Sequence, residues 1–122
     1  MAGIAEPDPA GAVRRHLRAF NERDVEALIA GLTEDAVWIT GGAVVTGHAE
    51  LTEFFAGALT ALAPTLHVRT LVAGGDHVVC ELVETLTAAG RAHTFHMAAF
   101  YRLRGSRIAA AKIYREGSAE LP

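Results

Sequence analysis

The sequence predicts an α+β fold in which a strongly curved, mainly antiparallel sheet wraps around three helices supplied by the N-terminal half. Helical periodicity dominates up to Pro64, and everything after it reads as four long strands. The turns between those strands are two or three residues long, which forces consecutive antiparallel hairpins. Helices and a twisted sheet must bury one another's apolar faces, and long strands that wrap a helix leave a conical cavity.

The first helix opens at Asp8-Pro9, an N-cap followed by a first-turn proline, and runs to about Glu22. Val13, His16, Leu17 and Phe20 fall at i, i+3, i+4 and i+7, so His16 interrupts an apolar stripe and is turned toward the core. Asp24 caps a second, shorter helix, where Val25, Leu28, Ile29 and Leu32 keep helical spacing and Gly31 sits near the end. Ala36 to Thr40 is a β-branched and aromatic strand, followed by the Gly41-Gly42 turn and a short strand over Val44, Val45 and Thr46. From about Gly47 helical spacing returns, with Leu51, Phe54, Phe55, Ala58, Leu59 and Leu62 forming a stripe that Pro64 ends. Strands are expected over about 65–73, 76–88, 91–103 and 107–115, separated by Gly74-Gly75-Asp76, Ala89-Gly90 and Gly105-Ser106.

A chain of 122 residues fits one domain over 1–122, with 1–8 a flexible lead and 117–122 a tail. Its 51% hydrophobic and 20% charged residues are a globular composition. Nucleic acid is not an expected partner: the net charge is −3, and Arg14, Arg15 and Arg18 lie on the outer face of the first helix. The single Cys80 allows no internal disulfide, so an oxidising compartment is not required. MAGIAEPDPAG lacks the basic and long apolar segments of a signal peptide, and no run approaches the roughly 20 apolar residues of a membrane span. The expectation is a soluble, cytoplasmic protein with no membrane partner.

The element order, together with FNERDVEALIAGLTEDAVWITGG, the helix-starting Gly47, the GGDHVV turn and FYRLRGSRIAAAKIYRE, resembles the nuclear transport factor 2-like superfamily, in particular its SnoaL-like and ketosteroid isomerase-like members. The resemblance covers about Val13 to Glu116 and implies a cone-shaped α+β barrel. It specifies the fold better than the chemistry, because isomerases, cyclases, dehydratases, epoxide hydrolases and non-catalytic modules share it. Of the ketosteroid isomerase groups, the oxyanion-hole tyrosine falls on His16, the general-base aspartate on Thr40 and the second acid on Ala99. Two of the three functions are therefore missing, which argues against that mechanism. The Asp-Arg-Asp set of limonene epoxide hydrolase-like members is not evident either.

The resemblance also implies which strand face looks inward: Cys80, Leu82, Glu84 and Leu86 on one strand, and His93, Phe95, Met97, Ala99 and Tyr101 on the next. Glu84 is the one acid in that apolar row, and a carboxylate in an apolar cavity with an imidazole near it can share a proton near neutral pH. Glu84 is accordingly the expected general base, with His16 its partner or the group that polarises a substrate oxygen. The competing reading is structural, with both side chains satisfying other buried groups or Glu84 meeting water at the cavity mouth.

Trp38 and Thr40 alternate toward the cavity, where Trp38 either stacks on a flat ligand or is core. Phe54, Leu82, Phe95, Met97 and Tyr101 complete the expected substrate wall, although aromatic and Met side chains at such positions also serve as core. Arg115 either pairs with Glu84, neutralises an acidic ligand group, or is solvated or interfacial. Metal ligation is not expected, since His93 and His96 point to opposite strand faces and no HExxH or CxxC spacing occurs. No glycine-rich phosphate loop is present either, so no cofactor is expected.

The outer sheet face carries Val79, Val83, Thr85, Thr94, Ala98, Phe100, Ala110 and Tyr114, too apolar for a solvated surface, and is expected to pair two copies as a homodimer. The chain reads as a small cofactor-independent isomerase, cyclase or dehydratase acting by proton transfer on an apolar, cyclic or carbonyl-containing molecule. The alternative is a non-catalytic ligand-binding or dimerisation module. An open cavity of about 300 Å³ or more lined by His16 and Glu84 would favour the enzyme. A cone plugged by Trp38, Phe95, Met97 and Tyr101 would favour the module.

Overall fold

A computed structural model describes residues 8–116, so most of the expected flexible lead (1–7) and the tail (117–122) lie outside the described residues. Asp8 belongs to the folded part: its carboxylate accepts from the Gly11 N–H at 3.0 Å and caps α1 (Pro9–Asn21). A Cβ at Gly11 would collide with that carboxylate, so glycine is what the cap geometry admits. Arg23, at φ 61°, turns the chain into α2 (Val25–Ala30), which Asp24 caps through the Ala27 N–H at 3.0 Å.

The second helix is shorter than its spacing suggests. Leu32 opens β1 (Leu32–Thr40) instead, four residues before the expected strand, and pairs with Ile108. The early start comes from tertiary pairing, because the Thr33-Glu34-Asp35 stretch has no apolar alternation of its own. Thr33 Oγ1 donates to Asp35 at 2.8 Å, and the Arg104 guanidinium beside Asp35 holds its carboxyl below the usual range.

β2 (Ala43–Thr46) folds back on β1, and Gly47, at φ 84°, starts α3 (Gly47–Leu62). Leu51, Phe55 and Leu59 are buried, Phe54 and Ala58 half-buried, and Ala63 ends the helix in the left-handed region before Pro64. The remaining strands are β3 (Thr65–Gly74), β4 (His77–Ala88), β5 (Arg91–Arg104) and β6 (Arg107–Glu116), each within a residue of the expected bounds.

All six strands form one sheet in the order β2-β1-β6-β5-β4-β3. Every pairing is antiparallel except β1 with β6. The sheet curls around the helices without closing, and β2 and β3 remain its edges. One apolar core joins α1, α3 and the concave face through Val13, Leu17, Leu51, Phe55, Leu82 and Tyr101. No helix among the described residues is long and apolar enough to cross a membrane.

Strand parity holds over most of the concave face and fails at one end. Cys80, Leu82, Glu84, Met97, Ala99 and Tyr101 are buried as expected, but His93, on the same parity, is exposed. Residues 91–94 are all exposed whichever way they point, so this end of the β4–β5 hairpin projects past the helices. On the convex face Val79, Val83, Ala98 and Ala110 are half-buried. Phe100 and Tyr114 stand exposed there, with their rings 5.6 Å apart, edge to face.

Candidate functional site

The concave face, α1 and α3 enclose a cavity of about 250 Å³. It is smaller than the about 300 Å³ expected of an open ligand site, and it is lined by both His16 and Glu84. His16, Trp38, Phe55 and Tyr101 form its buried depth. Phe20, Phe54, Leu66, Leu82, Leu86 and Met97 line its apolar walls, while Thr40, Ile113 and Arg115 reach it from the ends of β1 and β6. Trp38, Met97 and Tyr101 narrow the cone without filling it.

His16 projects from α1 into an aromatic nest. Its ring centroid lies 5.1 Å from Trp38, 5.8 Å from Tyr101 and 6.1 Å from Phe55. Nδ1 is sealed from solvent and has no hydrogen-bond partner among the described residues. Burial among rings without a counter-charge pushes the imidazole down to about 4, so it is neutral at pH 7. The same burial pushes the Tyr101 phenol up, keeping its proton in place. Both polar groups deep in the cavity are therefore uncharged and able to donate.

Glu84 is the charged member. Its carboxylate is held by Arg115, Nη2 to Oε1 at 3.0 Å, with the glutamate side chain 6% exposed and the arginine 44%. The two residues lie on either side of β5: Glu84 is registered with Phe95, and Arg115 with Met97, so the pair spans a diagonal across the strand. The pair with Glu84, one of the readings open for Arg115 in the sequence, is present, and the guanidinium stays partly exposed. The expected proton-sharing pair of Glu84 and His16 is not formed among the described residues: Arg115 is the counter-ion of the carboxylate, and His16 sits among aromatic rings on the same cavity.

Trp38, Thr40, Phe54, Leu82, Met97, Tyr101 and Arg115 all line the cavity alongside His16 and Glu84. Phe95 does not. Its ring lies outside, 5.9 Å from the Arg115 guanidinium carbon and stacked on His93 at 6.4 Å, because β5 is already leaving the cover of the helices there. Phe20, Leu66 and Ile113 belong to the wall and were not singled out from sequence. Phe20 ends the stripe that contains His16, and Ile113 precedes Arg115 by two on one strand, so helix and strand periods carried both signals.

Among the described residues no group of three His, Cys, Asp or Glu side chains could hold a metal ion. Cys80 is buried and unbridged, and burial pushes its thiol up to about 11, so it behaves as a small apolar side chain.

Known structures share this architecture. An NTF2-like protein of unknown function from Burkholderia pseudomallei superposes with a TM-score of 0.82 at 22% identity, over 88% of this chain and 90% of that one. An epoxide hydrolase of the LEH-like type from M. tuberculosis gives 0.81 at 18% identity, over 88% and 82%. A putative polyketide cyclase from Sinorhizobium meliloti gives 0.77 at 20% identity, over 85% and 94%. No curated protein matches the sequence. Residues 13–111 match the SnoaL-like domain. That match spans both the helical half and most of the sheet that shape the cavity, and the chain is a member of the SnoaL-like family.

Proposed function

We propose that the chain is a small enzyme that moves a proton on an apolar, cyclic, carbonyl-containing molecule. The observation that carries the reading is the pairing of unlike polar groups in one apolar hollow. A neutral imidazole with a sealed, unpartnered Nδ1 and a carboxylate held by a guanidinium both open on the same cavity. A purely structural histidine in such a place would be expected to bond through its ring nitrogens, since an unsatisfied buried polar group costs about 1–3 kcal/mol.

In this reading Glu84 takes the acidic proton from the carbon beside the carbonyl, and Arg115 holds the carboxylate in place. With Nδ1 sealed, His16 acts through Nε2–H on the oxygen that gains charge, and a neutral imidazole suits that role. The enolate then has three outlets. Return of the proton at another carbon is isomerisation, attack on a second carbonyl is cyclisation, and expulsion of a neighbouring hydroxyl, protonated as it leaves, is dehydration. Base and donor both come from the chain, so this chemistry calls on no cofactor. The structural neighbours named as cyclase and epoxide hydrolase support an enzyme on this fold.

Two further parts of the reading concern setting. The exposed Phe100 and Tyr114 favour pairing of two copies through the convex face. The unbridged Cys80 thiol suits a reducing compartment such as the cytoplasm.

Solvent deuterium exchange into 2-tetralone, followed by NMR, tests the proton-transfer step. The protein should accelerate exchange beside the carbonyl, and Glu84→Gln should lower that acceleration by about 100-fold. Exchange no faster than buffer background, or unaffected by Glu84→Gln, contradicts the assignment.

A further inference from the structure

Arg115 stands at the edge of the cavity. A shallow groove at the carboxyl ends of β1 and β6 shares Thr40, Ile113 and Arg115 with it and continues past Gly41 to Lys112 and Tyr114. Lys112 and Tyr114, registered with Phe100 and Ala98, point to the convex side, so Arg115 is the cation of β6 that faces the cone.

Among the described residues that line the cavity, Arg115 faces Glu84 and His16 is neutral, while Lys112 projects from the convex side of β6. Arg115 contacts Glu84 and the Met97 sulfur through Nη2, which leaves Nη1 and Nε without a partner among the described residues, and its guanidinium carbon lies 5.9 Å from the Phe95 ring, which backs it. Lys112 lies over Tyr114, its Nζ 5.0 Å from the ring centroid. A guanidinium with free donors at the rim of an apolar hollow is a receptor for a compact oxyanion.

We propose that the ligand is an amphiphilic monoanion. Its mono- or bicyclic apolar body fills the cone, and its carboxylate or ionised enol lies at the mouth on Arg115. The proposal rests on the reading of the cone as a ligand site and adds the charge class of what enters it. It makes Arg115 a specificity-determining group as well as the partner of Glu84. It also predicts a competition, because the ligand anion and Glu84 draw on the same cation.

Calorimetric titration with 2-naphthoate and with the uncharged 2-naphthamide of the same shape tests it. Wild-type protein at low salt should bind the carboxylate at least about tenfold more tightly than the amide, and added salt should shrink the difference. Glu84→Gln should tighten naphthoate binding by about threefold or more, by removing the competing carboxylate. Glu84→Gln combined with Arg115→Met, which leaves no buried unpaired charge, should abolish the preference while the amide still binds. Arg115→Lys should keep part of it. Equal binding of the two probes by wild type, or a preference that survives the double substitution, overturns the proposal while leaving the cone as a ligand site. Failure of both probes to bind overturns the ligand-site reading and this proposal with it.

Discussion

His16 is neutral because the ring is buried without a counter-charge, and that state has a thermodynamic signature. Its folded-state value is about 4 against 6.5 for a free imidazole, so unfolding takes up a proton between those pH values. The stability tied to this group is complete above pH 6.5 and is lost as pH falls toward 4, roughly 3 kcal/mol in all. Urea denaturation should therefore show wild type losing about 2 kcal/mol between pH 7 and pH 5. His16→Leu should lose much less over that range and should equal or exceed wild type at pH 7 by about 1 kcal/mol, since it removes an unsatisfied nitrogen. An unchanged pH slope in His16→Leu would contradict the assigned protonation state. His16 was legible in the sequence as a polar break in an apolar stripe, and Glu84 as the acid in an apolar row. Their relation was not: Glu84 and Arg115 meet only through the register of β4, β5 and β6, which no local pattern encodes.

The helical corner and the cavity mouth are tied together by two residues that periodicity passes over. Asn21, at the end of α1, both donates to the Leu66 carbonyl and accepts from the Leu66 N–H at 2.8 Å, completing the start of β3. Arg23 donates to the carbonyls of Ala63 and Pro64 and to Thr65 Oγ1, so the α1–α2 turn grips the α3–β3 turn. Leu62, Pro64 and Leu66, which that grip positions, line the cavity. Arg23→Ala should cost about 2 kcal/mol in thermal denaturation, because several carbonyls lose a charged donor together. A cost under about 0.5 kcal/mol would place the corner's rigidity elsewhere. Element types were readable from hydrophobic period and turn residues, and the strand bounds from Gly-rich turns. The start of β1 was not, because the single pair of Leu32 with Ile108 anchors it ahead of an irregular stretch, and the register with β6 resumes only at Val37. Nor was the outward position of Phe95, which depends on where the helices stop covering the sheet.

At the scale of the molecule, the concave face is closed over by helices while the convex face keeps Phe100 and Tyr114 in solvent. Burial of two such rings against a symmetric copy is favourable, and a two-fold axis lets one patch serve both partners. Sedimentation at about 10 μM, a concentration where a micromolar dimer is largely assembled, should report a dimer. Phe100→Asp should shift it to monomer with the fold retained by circular dichroism. A monomeric wild type would leave that face without the assigned partner. The order of helices and hairpins made the curled sheet legible from sequence. The size of the hollow was not, since it depends on how closely Trp38, Phe55 and Tyr101 pack around His16.

Long-range ¹H–¹⁵N NMR of the histidine rings at pH 7, free and with saturating 2-tetralone, tests the central claim most directly. The account predicts a neutral His16 carrying its proton on Nε2, and a ligand-induced shift at that nitrogen larger than at any of the other five histidines. An imidazolium at pH 7, or a His16 ring indifferent to bound ketone, would contradict it.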